Sequence, residues 1–145
     1  MPAVLAWTRE RWKATVAASC VINPASRQAR TTARTLSRIA GASGHSFYEA
    51  EALLREAELL LPAGYLARAL RCYQRAEGVA TAASLGLLTC AALGGQARLW
   101  QLLGNLFKAH SLYNRQLQLA RTLGESVLVQ SALSSMAATA LLLGD

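Results

Sequence analysis

The stretch from Phe47 to Glu77 constrains the fold more than any other part of the chain. Two amphipathic segments lie on either side of Pro62-Ala63-Gly64. In the first, Phe47 to Leu61, the residues Phe47, Ala50, Leu53, Leu54, Ala57 and Leu61 recur at helical spacing, while Glu49, Glu51, Arg55, Glu56 and Glu58 mostly face away. Ser46 stands where an N-cap belongs, and Glu49 would complete a capping box. In the second segment, Tyr65 to Glu77, the core spacing is kept by Leu66, Ala69, Leu70, Tyr73 and Ala76. A short turn between two amphipathic helices produces an antiparallel helix hairpin.

The rest of the chain extends the same pattern. Hydrophobic residues make up 53% of the 145 and charged ones 16%, too apolar for a disordered chain. Ala and Leu dominate and only three prolines occur, so local propensity favours helix. Residues 78–97 carry no charge, and Gly94-Gly95 predicts a turn within them. Gln96 to Ala109 reads as a third strong helix, Leu112 to Thr122 as a fourth ended by Gly124, and Ser126 to Leu143 as a last one. No segment alternates as a strand would.

Helix hairpins in series prompt a search for repeats. The run Trp100-Gln-Leu-Leu103-Gly104-Asn-Leu-Phe107 resembles the first-helix signature of tetratricopeptide repeats: Trp, two residues, Leu-Gly, two residues, aromatic. Ala69-x-x-x-Tyr73-x-x-Ala76 resembles the second-helix signature, and residues 132–145 resemble another first helix with its turn, packing through Leu133, Met136 and Ala137. Three departures accompany the resemblance. The spacing from Gly104 to Ala109-x-x-x-Tyr113 is about seven residues short of the family pattern. Glu56 stands where the family has an aliphatic residue, and no proline closes a repeat. The resemblance covers residues 47–145 and implies an all-α fold, antiparallel helix hairpins stacked as a short TPR-like α-solenoid. Leu53, Ala69, Tyr73, Trp100, Leu103 and Phe107 are then the expected core.

Catalytic chemistry finds little to work with. The one Asp is the terminal Asp145, and the two histidines are His45 and His110. No phosphate-binding loop, nucleophile elbow or zinc-binding helix motif occurs. Cys20, Cys72 and Cys90 lie far apart, so neither a disulfide framework nor a metal site is expected. The expectation is a protein without enzymatic activity or cofactor. On a continuous helix from Gln96 to Ala109, Arg98, Gln101, Asn105 and Lys108 would share one face opposite the packing residues. In tetratricopeptide domains such side chains line the groove that holds a partner peptide, which makes these four the candidate partner-binding residues. The implied function is a scaffold or adaptor that binds a peptide or acidic segment of another protein.

The net charge of +7 is unevenly placed. Residues 1–48 hold seven basic residues against one acid, whereas residues 49–145 hold eight against seven. Residues 1–46 therefore read as a basic, Arg/Ser/Thr/Ala-rich leader or flexible tail, with Arg27, Arg30, Arg34 and Arg38 as a stripe at helical spacing. The composition suits a mitochondrial transit peptide, the alternative to a cytoplasmic protein. The stripe also suits contact with acidic partners or RNA, although no specific nucleic acid is expected. The uncharged runs 78–97 and 126–144 are each about long enough to span a bilayer, but their Ala, Ser, Thr and Gly content argues against membrane insertion. The last helix ends without a successor and carries no charge from Ser126 to Gly144. Self-association through that helix, or a chain cut short, is expected there.

Overall fold

The computed structural model describes residues 27–42 and 44–144. It contains helices α1 (Arg27–Ala42), α2 (Ser46–Leu60), α3 (Leu66–Ala82), α4 (Gly86–Leu102), α5 (Leu106–Leu123) and α6 (Ser126–Leu142), and the described residues hold no strand. The fold is all-α, with neighbouring helices packed in succession as in a helical solenoid. The contacts of the described residues form two units, divided between Cys72 and Tyr73. In the first, α1 packs on α2. In the second, α5 packs on α4 and α6 on α5.

A regular turn sets the helix lengths. Residues in the left-handed region stand at 44, 64, 84, 104, 124 and 144, each twenty after the last. Five are glycines, which adopt this conformation without a Cβ penalty, and the sixth is Ser84 at φ 57°. At four of these turns the next residue donates its N–H to the carbonyl five back: Tyr65 to Leu60, Leu85 to Ala80, Asn105 to Trp100 and Glu125 to Ala120. This bond closes a helix C-terminus around a left-handed residue. The carbonyls of Tyr65, Leu85, Asn105 and Glu125 then accept the first bond of the following helix. One short turn therefore ends one helix and starts the next, and neighbours packed across it run antiparallel.

Side-chain character recurs at twice that interval. Ala69, Tyr73 and Ala80 of α3 are buried, as are Ala109, Tyr113 and Ala120 forty residues on in α5. Leu53 and Ala57 of α2 correspond to Leu93 and Ala97 of α4, again all buried. An inter-helix polar link repeats too. Ser37 Oγ donates to Glu56 Oε2 at 2.9 Å, and forty residues later Gln96 Nε2 donates to Glu77 Oε2 at 2.7 Å. This explains the acid at position 56: Glu56 is buried but hydrogen-bonded, so its burial is offset.

The structure corrects several sequence expectations. Gly94-Gly95 makes no turn; both residues lie inside α4. A Cβ on Gly95 would fall 2.3 Å from Tyr73 Cε1, and one on Gly94 2.5 Å from Gln116 Nε2, so these glycines admit neighbouring side chains. The helix expected over Gln96–Ala109 is interrupted instead, because Gly104 adopts φ 85° and Asn105 caps α5. The spacing from Gly104 to Tyr113 is short because Gly104 is itself the turn between α4 and α5, and α5 begins at Leu106, not at Leu112. Of the expected core, Leu53, Ala69 and Tyr73 are buried, Trp100 is half-buried, and Leu103 and Phe107 are 49% and 79% exposed. His45 occupies the N-cap position of α2 and makes no side-chain cap, so the box expected from Ser46 and Glu49 does not form.

Arg27–Ala42, expected in a leader or tail, is a helix seated on α2 through Ala40 and Ala52, with Leu36 and Tyr48 beside them. Residues 1–26, with Cys20 and the rest of the expected leader, lie outside the described residues. Among the described residues no helix is long and apolar enough to cross a membrane. The run 78–97 is divided by the turn at Ala83–Leu85. In α6 only Ala132 and Thr139 are buried, while Val127, Leu133, Leu141 and Leu142 are exposed and Met136 packs against the α4–α5 core.

Candidate functional site

The second unit carries the four residues that the sequence singles out, and the turn at Gly104 separates them. Arg98 and Gln101 belong to α4, Asn105 is the N-cap of α5, and Lys108 lies in the first turn of α5. The single helical face expected for them does not exist. Asn105 Oδ1 accepts from the Lys108 N–H at 3.2 Å, satisfying a donor that a helix start leaves open. Gln101 Oε1 accepts from the Tyr113 hydroxyl at 3.4 Å. Lys108 Nζ stands 4.0 Å from the centre of the Trp100 ring, a cation–π contact. Arg98 is exposed.

Tyr113 connects α4, α5 and α6. Burial pushes its phenol pKa up, against the opposing effects of a hydrogen bond with Ser135 and the nearby Arg98 charge. The protonated hydroxyl is the donor in the bond to Gln101. Cys90 is fully buried and its thiol pKa is also pushed up by burial, which disfavours the nucleophilic thiolate. Among the described residues no cluster of three or more metal-ligating side chains occurs.

An open groove of about 660 Å³ runs along the same unit. Thr81 of α3, Thr89 and Leu93 of α4, and Asn114, Gln118 and Thr122 of α5 line it. Its charges balance: Arg115 Nη2 lies 2.8 Å from Glu77 Oε1, and the second Glu77 oxygen takes the Gln96 bond. The Thr89 and Thr122 hydroxyls donate to carbonyls of their own helices. The amides of Asn114 and Gln118 are exposed and make no hydrogen bond to other described residues. A carboxamide offers one acceptor and two donors, the complement of a peptide bond. Sequence reading missed this groove because its lining comes from three helices, with no compact motif. The signal that would have found it is the twenty-residue turn spacing, which aligns α3 and α5 as equivalent helices. No known family model matches the chain, and no curated protein is similar to it.

Proposed function

We propose that this chain is a non-enzymatic interaction module of the tetratricopeptide kind, acting as a scaffold or adaptor that holds a peptide segment of another protein. The observation that carries this reading is the groove of about 660 Å³ with balanced charge and the Asn114 and Gln118 amides at its edge. An extended peptide presents alternating N–H and C=O groups, which such amides satisfy, while the exposed Leu123, also in the lining, offers an apolar contact. The forty-residue recurrence of buried residues supports a repeating helix pair, with a period longer than the roughly 34-residue tetratricopeptide unit, and a cytoplasmic location goes with the interaction reading. Selection from a random peptide library on the folded chain, followed by calorimetry, tests the proposal. The expected result is saturable binding that Asn114→Ala with Gln118→Ala weakens about tenfold, the value of two lost hydrogen bonds of modest net strength. Arg98→Glu with Lys108→Glu should leave that binding unchanged, since neither residue lines the groove. Absence of any saturable binder would remove the reading.

Self-association through α6 belongs to the same proposal. Leu133 is 44% exposed, whereas Leu53 and Leu93, at the equivalent positions of α2 and α4, are buried. With no charge along α6, a second copy of that face meets no like-charge repulsion. Sedimentation equilibrium should show a concentration-dependent dimer that Leu133→Glu reduces to monomer. A monomer in both cases would leave α6 as ordinary surface.

A further inference from the structure

The first unit carries a cationic surface built entirely of arginine. In α1, Arg27, Arg30, Arg34 and Arg38 recur at intervals of three and four residues, so they share one face. From Arg27 to Arg38 this stripe is about 16 Å long at 1.5 Å per residue. In α3, Arg68 and Arg71 precede the end of the unit. The two sets meet at Tyr65: the Arg30 and Arg68 guanidinium carbons lie 5.3 and 5.6 Å from the centre of its ring. Neither α1 nor the Leu66–Cys72 part of α3 contains an acid. The acids described in this unit, Glu49, Glu51, Glu56 and Glu58, all belong to α2. Arg27, Arg34, Arg38 and Arg71 are exposed and form no ion pair with other described residues.

We infer that this α1–α3 surface binds the phosphate backbone of single-stranded RNA, without sequence preference. Three observations select this partner over other polyanions. The cations are all guanidinium groups, whose planar forks match phosphate oxygens two at a time. Tyr65 is about half exposed at the junction of the stripes, beside two guanidinium planes, and unpaired bases stack on such groups. An anionic membrane would reward apolar side chains around the arginines, yet the exposed α1 neighbours Thr31 and Thr35 are polar. Unpaired bases, rather than a duplex, are required for the stacking.

The test is fluorescence anisotropy of a labelled 20-nucleotide oligouridylate with the full chain. Four phosphate contacts on a single strand give a salt slope of about −2.8, hence about a 50-fold loss of affinity between 50 and 200 mM salt. The variant Arg34→Ala/Arg38→Ala/Arg71→Ala should bind at least tenfold more weakly, with a slope shallower by about two. It keeps the basic residues of positions 1–26, so undiminished binding would overturn the assignment to this surface. The variant Arg34→Lys/Arg38→Lys/Arg71→Lys keeps the charge and should recover only part of the affinity. Full recovery would overturn the role of the guanidinium forks. Circular dichroism identical to the unaltered chain verifies that both variants fold. A polyglutamate peptide or phosphatidylserine vesicles binding more tightly than the RNA at equal salt would overturn the choice of partner.

Discussion

Replacing Gly95 by alanine is expected to destabilise the second unit by about 2 kcal/mol, although alanine is the better helix former. Gly95 lies in the interior of α4, where Gly→Ala alone should contribute about 1 kcal/mol of stability. Against this, the added Cβ would fall 2.3 Å from Tyr73 Cε1 and 2.5 Å from both Cδ1 and Cζ. Tyr73 is buried, and its ring is rigid, so it gives way only by displacing its neighbours. Overpacking of that kind costs about 1–3 kcal/mol, and the contact is close enough to place it at or above the upper end. Gly94 provides the internal comparison. Its nearest neighbour is the Gln116 amide nitrogen, the mobile end of a flexible side chain. Moving that amide gives up its 3.0 Å bond to the Cys90 carbonyl, about 1 kcal/mol, so Gly94→Ala should be close to neutral. Urea midpoints of the two variants separate these cases. Tyr73→Leu combined with Gly95→Ala should cost less than the two single changes added together, because the residues are in contact. Equal effects at positions 94 and 95 would mean that close approach is not what keeps Gly95 small.

The difference between these glycines also shows where sequence reading stopped. A Gly-Gly pair is a turn signal by local propensity, and nothing within twenty residues on either side reveals an aromatic ring packed against it. The deciding contact, Tyr73, belongs to the preceding helix. By contrast, the turn at Pro62–Gly64, the end of α5 at Gly124 and the span of α6 are legible, because the breaker residues there do act as breakers. The helical face expected for Arg98, Gln101, Asn105 and Lys108 is divided for a related reason. Within the run Trp100–Phe107 a glycine fits a helix interior as a small packing residue, but Gly104 is the left-handed residue of a turn. That single reassignment separates Arg98 and Gln101 from Asn105 and Lys108. It also turns Asn105 from a ligand donor into a helix cap. The groove was not legible at all, since its polar lining is ordinary surface composition until three helices bring it together.

The same reassignment sets up the second large effect, which separates two readings of the segment around Trp100. If the tetratricopeptide signature were read as one continuous helix, Trp100, Leu103 and Phe107 would be core, and truncating either aromatic would cost about 3–5 kcal/mol. The structure places the weight elsewhere. Leu99 is 0% exposed, while Phe107, past the turn, is 79% exposed. Leu99→Ala removes a fully enclosed side chain and leaves a cavity, so a loss of about 3 kcal/mol is expected. Phe107→Ala removes a ring that solvent already surrounds and puts a better helix former in the first turn of α5, so the change should stay within about 0.5 kcal/mol. Trp100→Ala falls between the two: the ring is half-buried, and Lys108 covers one face. Its indole N–H is buried and has no hydrogen-bond partner among the described residues, so losing that group relieves a cost. The expected order of destabilisation is therefore Leu99→Ala, then Trp100→Ala, then Phe107→Ala, measured by urea unfolding followed by far-ultraviolet circular dichroism. A loss from Phe107→Ala as large as that from Leu99→Ala would restore the continuous helix, and with it the single face of Arg98, Gln101, Asn105 and Lys108.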